Sequence, residues 1–336
     1  MKKSYELDMC NGPILGKILV FAIPLMISGI LQLLFNAADI IVVGRFTGSQ
    51  ALAAVGSTSA LINLIINLFI GVSVGANVVV ARNYGAKDYD GIHGAVHTSV
   101  LTAIWGGIIL IFVGILLARP MLEMMGTPED VIDLSVLYMR IYFVGMPAFM
   151  MYNFGAAILR AIGDTKRPLY FLTLSGVVNV VLNLFFVIVF HMGVAGVALA
   201  TIISQAISAF LIILCLMKMD GPCHLDFKHL KFHPEQLKSM LRIGLPAGLQ
   251  GAIFSISNVL IQSSVNSFGS QVMAGNTAAG NIEGFVYNSM NAVYQTSLSF
   301  TSQNMGAKKF DRINKILFQC LLVVTAIGLV MGGGAY

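Results

Sequence analysis

The 336-residue chain carries 20 Lys and Arg against 15 Asp and Glu, a formal net charge of +5, yet only 10% of its residues are charged and 57% are hydrophobic. Mean hydropathy is +0.84. A soluble domain has about a quarter of its residues charged, so a soluble fold is excluded, and four cysteines without paired spacing exclude a disulfide framework.

Apolar stretches of roughly 20 residues predict about nine membrane-spanning helices, near 14–43, 51–81, 94–118, 134–159, 168–190, 194–217, 243–267, 272–302 and 315–336. The fold class is therefore all-α integral membrane. A transmembrane β-barrel would alternate polar and apolar residues in segments of about ten, and these runs do not. The polar start "MKKSYELDMCNGP" leads into a span too long for a signal h-region, so no cleavable signal is expected. Of the 20 Lys and Arg, 17 fall at the N-terminus or in alternate loops; only Arg45, Arg119 and Arg140 lie elsewhere. By the positive-inside rule those 17, and the N-terminus, are expected to be cytoplasmic. The basic excess then reflects topology and gives no reason to invoke nucleic acid.

The first span holds "LLFNAADIIVVGRF" at 33–46, and its Ser28, Gln32, Asn36 and Asp39, spaced 4, 4 and 3 apart, share one helix face. The fifth span repeats the pattern with Ser175, Asn179 and Asn183, and the sixth with Thr201, Gln205 and Ser208. The seventh carries Gln250, Asn258, Gln262 and Asn266; the eighth carries Asn276, Glu283, Tyr287 and Asn291. Between the sixth and seventh, Cys223, His224, His229 and His233 share one loop. Their spacing fits no common zinc pattern, and a solvated loop is the expectation. No metal or cofactor is expected.

The chain also repeats itself. "NYGAKDYDGI" at 83–92 returns as "NMGAKKFDRI" at 304–313, six matches in ten at an offset of 221, and "GSQALA" at 48–53 returns as "GSQVMA" at 269–274. "AIPL" at 22–25 faces "GLPA" at 244–247. Both GAK loops lie on the basic side, which makes this a parallel repeat, the arrangement of two-lobed secondary transporters. The expected organisation is a six-helix lobe over 1–220, an inter-lobe loop over 221–242 and the first three helices of a second lobe over 243–336. Adding the offset to the end of the first copy predicts roughly 440 residues for two complete copies. Gly85 and Gly306 are expected to take the left-handed position that ends a helix. Pro24, Pro147 and Pro246 lie within spans, where proline permits bends.

An ionised group at the bilayer centre costs at least about 2.5 kcal/mol. Single amides can be interhelical glue worth about 0.6 kcal/mol each, but five polar faces in one chain point to a shared wet cavity. Asp39 and Glu283 have no acidic counterpart in the other copy, where Ile261 and Ile62 stand, so duplicated packing does not demand them. Desolvation favours the protonated carboxylic acid. A carboxylate in such a cavity can thus take up and release a proton near neutral pH and couple its entry to expulsion of a cation. Aromatic and Met side chains facing the cavity would accept flat lipophilic cations.

These residues resemble the multidrug and toxic compound extrusion (MATE) family. The likeness rests on "FNAADIIVVGRFTGSQALAAVG" at 35–56, "ILRAIGDTKRP" at 158–168, "MGVAGVALATIISQ" at 192–205, "GLPAGLQ" at 244–250 and "NMGAKKFD" at 304–311. It implies twelve helices in two lobes forming a V around a central cavity, of which about nine are present. It also implies a bacterial inner-membrane monomer that exports organic cations in exchange for protons or sodium. The family's N-lobe ion site carries over onto Asp39, Asn179, Asn183 and Thr201. Gln32, Asn36, Gln205, Asn258, Gln262, Asn276, Glu283 and Tyr287 are the expected substrate-cavity residues. Many members have Asp where "NVVLN" ends in Asn183, and a single N-lobe carboxylate favours proton over sodium coupling. The alternative is a flippase for lipid-linked saccharides from the wider superfamily, disfavoured by the scarcity of Lys and Arg within spans. No HExxH, GxSxG or paired-Asp motif supports an intramembrane enzyme.

Overall fold

A computed structural model describes residues 5–266 and 270–335, and within them the secondary structure is helical. Backbone amides in a bilayer have no water to bond, so helices satisfy them internally. The helices are α1 (Ile14–Phe46), α2 (Ser49–Ala86), α3 (Tyr89–Met124), α4 (Glu129–Val144), α5 (Met146–Ala161), α6 (Lys166–Leu184), α7 (Gly193–Lys218), α8 (Pro234–Asn266), α9 (Ser270–Gly306) and α10 (Phe310–Ala335). A π-helical turn, Phe185–Val189, extends α6.

The predicted span 134–159 is not one helix. It breaks at Gly145 into α4 and α5, bent by 48°. Gly145 lies in the crook, where an added Cβ would sit 2.6 Å from the Ile202 side chain of α7. Pro147 falls in the first turn of α5, where its missing amide proton costs nothing. Six described helices are long and apolar enough to cross a membrane, seven when the bent pair counts as one span. α8 and α9, which correspond to the predicted spans 243–267 and 272–302, include side chains outside the described residues, and runs such as "GNTAAGNIEG" lower the apolar content of α9.

The GAK loops correct a second expectation. The left-handed residues are Lys87 (φ 58°) and Lys308 (φ 57°), not the glycines. Each lysine closes its helix in the same way: Lys87 and Asp88 amides donate to the Tyr84 and Asn83 carbonyls (3.1 and 3.0 Å), and Lys308 and Lys309 amides to Met305 and Asn304 (3.1 and 2.9 Å). Gly85 and Gly306 sit in the last helical turn because α2 and α9 cross there backbone to backbone. A Cβ on Gly85 would lie 1.9 Å from the Gln303 carbonyl oxygen, and one on Gly306 would lie 1.9 Å from that of Arg82. Arg82 and Gln303, like Gly85 and Gly306, are equivalent under the 221 offset, so the two contacts are symmetry mates.

The other crossings between the halves are not equivalent. α2 and α8 meet along Gly71, Gly75, Gly244 and Gly248: a Cβ on Gly71 would fall 2.2 Å from the Gly248 nitrogen, and one on Gly75 would fall 2.2 Å from the Met240 carbonyl oxygen. The two "GxxxG" stretches, "GVSVG" and "GLPAG", thus pack without side chains between them, as such stretches do in membranes. At the matching α1–α9 crossing the equivalent positions are Ala22, Met26, Ala292 and Thr296. That seam is filled by side chains, with Phe21 edge-on to Phe300 at 5.6 Å. Met9, Ile14, Ile18, Val293, Ile316, Cys320 and Val323 join the same apolar cluster. A larger core unites α2, α3, α4, α5 and α7.

The loop joining α7 to α8 is solvated at His224, Lys228 and His229, as expected, but two of its side chains turn inward. Cys223 and Leu225 are 2% and 1% exposed. His97 of α3, also buried, bonds the Asp226 backbone, and the Thr98 hydroxyl accepts from the His233 amide at 3.0 Å. Burial, reinforced by the nearby Glu6 charge, pushes the Cys223 thiol up to about 12. Its histidine neighbours are engaged elsewhere: His224 with the Met219 carbonyl and His229 with the Asp226 carboxylate.

Candidate functional site

Asp39 lies partly buried on the inner face of α1, opposite α6. Gly176 makes the approach possible. A Cβ there would sit 1.8 Å from the Phe35 ring, so only glycine lets Phe35 seat against α6 one turn before Asp39. Seven residues beyond Gly176, Asn183 presents its amide and donates a hydrogen bond to the Asp39 carboxylate. Asn183 also donates to the Asn179 side-chain oxygen at 3.3 Å, and the Asn179 amide faces the Thr201 hydroxyl at 3.5 Å. Thr201 in turn donates to the Val197 carbonyl of its own helix.

Asp39, Asn183, Asn179 and Thr201 therefore form one chain of polar groups across α1, α6 and α7. Asn183 and Asn179 are 0% and 5% exposed. The Asp39 carboxylate has no cationic partner among the described residues; what balances it is an amide dipole. The Asn183 side-chain oxygen is buried without a hydrogen-bond partner, and so is that of Gln205. Gln205 lines a void of about 10 Å³ with Tyr142, Gly145, Thr201 and Ile202, room for about one water-sized guest. An oxygen-only donor set with one carboxylate can accept a proton or hold a small cation weakly; an all-oxygen cage for a tight ion needs more charge.

Two side chains not singled out from the sequence belong here. Tyr142 of α4 lines the same small void as Thr201 and Gln205, and its ring lies 6.0 Å from that of Tyr138. Their i, i+4 spacing within an apolar span was the available signal.

The other polar stripes do not join this cluster. Ser28, Ser175 and Ser208 bond back to carbonyls of their own helices, Pro24, Leu172, and Ser204 with Gln205. Gln32, Asn36, Asn258, Asn276 and Glu283 are exposed on their helices. No hydrogen bond or ion pair connects Glu283 to Asp39 among the described residues. Tyr287 is 53% exposed and stacks on Phe254 at 6.0 Å. Gln262 lies in α8, its side chain outside the described residues.

The MatE family model matches residues 24–185 and 246–332. The chain belongs to the multidrug and toxic compound extrusion family. Among curated proteins it is similar to the probable multidrug resistance protein YoeA of Bacillus subtilis, at 31% identity over 305 residues covering 89% of this chain and 66% of the relative. It is also similar to YpnP of the same organism, another probable multidrug resistance protein, at 29% identity, covering 91% and 68%. The chain thus spans about two thirds of the length of these relatives. Among solved structures it matches an outward-facing MATE transporter of the MOP superfamily with a TM-score of 0.91 and 26% identity, over 98% of this chain and 73% of that one. These relatives lend no support to the saccharide-flippase alternative.

Proposed function

We propose that this MATE chain is the larger part of a proton-coupled antiporter that exports organic cations by alternating access. The observation that carries the reading is Asp39: a carboxylate within a membrane span, held by the Asn183 amide and lacking a cationic partner among the described residues. An ionised group in that setting is costly, and a proton or a bound organic cation relieves the same cost. The two compete for one charge, so entry of one favours departure of the other. The Asn179–Asn183–Thr201 chain orients the carboxylate, and Tyr142, beside the void that Thr201 and Gln205 line, offers an aromatic face for a flat cation.

The basic end of the bundle, where the GAK loops and the N-terminal segment lie, is read as cytoplasmic in a bacterial inner membrane. The tight crossings at Gly85 and Gly306 close that end, so the conformation is read as open outward, like the structural relative. In proteoliposomes with an imposed pH gradient, wild-type protein is expected to export an ethidium-like dye, and Asp39→Asn is expected to abolish that export with folding intact. Undiminished pH-driven export in the variant refutes the assignment, and export driven by sodium alone transfers the coupling to that ion.

A further inference from the structure

Residues 5–13, ahead of α1, form an extended strap across the basic end that touches both halves of the molecule. Its first three residues engage the first half. The Arg167 guanidinium lies 4.7 Å over the Tyr5 ring, and the Tyr84 hydroxyl donates to the Glu6 carboxylate at 3.1 Å. The Leu7 backbone presses on Gly163, whose φ of +95° and lack of Cβ leave the space.

The next residues engage the second half. Met9 is fully buried against α9 and α10, and its carbonyl accepts from the Asn304 amide at 3.1 Å. Lys309 donates to the Cys10 carbonyl (3.0 Å) and the Asn11 side-chain oxygen (2.6 Å), and Arg312 to the Gly12 carbonyl (3.1 Å). Asp8 stiffens the joint, accepting from the Cys10 and Asn11 amides while Lys17 caps its carbonyl. Beneath the strap, Gln303 of α9 donates to the Ala161 carbonyl of α5 at 2.7 Å, a direct bond between the halves.

Leu7 and Met9 are two residues apart, and a chain that short spans at most about 7 Å. The strap therefore has no slack to follow the halves if this end opens by several ångströms; one attachment has to release. Residues 9–12 are held to the second half by a buried Met, two cations and an amide, with Lys17 of α1 also donating to the Asp8 and Asn11 carbonyls, whereas residues 5–7 are held to the first half by one hydrogen bond to a carboxylate, one cation–ring contact and a backbone contact. Both ends use charge-assisted contacts, but the Tyr5–Leu7 end has one exposed hydrogen bond against four bonds and a buried Met at the other, so it lets go first. We infer that residues 5–13 are a latch that holds the basic end shut and sets how often it opens, an inference that rests on the alternating-access reading.

The test uses the full-length protein with its native cysteines replaced by serine. Spin labels at Tyr89→Cys and Phe310→Cys, equivalent exposed positions of the two halves, report the separation at the basic end. Tyr5→Ala with Glu6→Ala is expected to raise the wide-separation population about tenfold. Separately, Glu6→Cys and Tyr84→Cys, bridged by a flexible bis-methanethiosulfonate, are expected to lose at least about tenfold in dye export and to recover on reduction. Unchanged distances in the loosened variant, or undiminished export in the bridged one, overturn the latch. If distances shift but wild type exports no dye on a pH gradient, the antiport reading fails while the latch stands. Normal export with unmoved distances does the reverse.

Discussion

Gly85→Ala is the sharpest test of how the two halves are joined. The new Cβ would lie 1.9 Å from the Gln303 carbonyl oxygen, whereas ordinary contact begins at 3.4 Å, so α2 and α9 must separate by roughly the difference of 1.5 Å or bend to create it. The obstructing atom belongs to backbone, which cannot swing aside as a side chain would. Overpacking of this kind costs about 1–3 kcal/mol, equivalent to a few degrees of melting temperature in a chain of this size, at roughly 1.5 °C per kcal/mol. Gly306→Ala strains the same crossing from its symmetry-related side, 1.9 Å from the Arg82 oxygen. Once one alanine has forced the helices apart, the second finds space already made. The double variant should therefore be more stable than the sum of the single losses predicts, by about 1 kcal/mol or more. Melting of the four proteins in detergent, followed by fluorescence-detected size exclusion, measures the coupling. Strictly additive shifts, or single losses under about 0.5 kcal/mol, would refute the backbone-on-backbone crossing.

Other expectations follow from single contacts. Asn183→Leu removes the donor that holds Asp39 and should cut pH-driven dye export about tenfold without lowering expression, the size expected for leaving one polar group unpaired; export at the wild-type rate would show that the amide is dispensable. Gly176→Leu drives a side chain into the Phe35 ring and should lower both melting temperature and export, whereas Gly16→Leu, at a site with nothing within 4 Å, should leave both unchanged. Cys223, neutral below its value of about 12, carries about one part in ten thousand thiolate at pH 8. Because raising the pH towards 12 is what generates the nucleophile, maleimide labelling of the folded protein should stay slow from pH 6.5 to 8.5 and become fast only on denaturation; rapid stoichiometric labelling at pH 7 contradicts its burial.

Much of the architecture is legible in the sequence because the bilayer enforces one rule, that long apolar runs become helices, and because the repeat is written in matching words at 83–92 and 304–313. The group around Asp39 is legible through the family resemblance, which carries an N-lobe site onto Asp39, Asn179, Asn183 and Thr201; the i, i+4 spacing alone shows only that each span has a polar face, costly in lipid. The limits are equally physical. Glycine at 85 and 306 reads locally as a helix terminator, and only the partner helix reveals that its missing side chain serves a crossing. The bend at Gly145 depends on Ile202, from a helix 57 residues later. Gln32, Asn36, Asn258 and Glu283 follow the same periodicity as Asn179 and Asn183, yet periodicity fixes only a common face. It does not say what that face meets.

The glycine crossings also fix where leverage is available. α2 is pressed against α8 from Leu68 to Gly75 and against α9 at Gly85, whereas its first turns pack into the core of their own half, with Ser57 3.1 Å from Ser135 of α4, and Ser49 lies 19 residues, about 29 Å at helical rise, from Leu68. A body gripped near one end amplifies tilt: turning α2 together with its own half by about 20° about the glycine crossings would carry the Ser49 end roughly 10 Å. On the alternating-access reading proposed above, small adjustments where the backbones touch would thereby be magnified into a gap of about 10 Å at the opposite mouth.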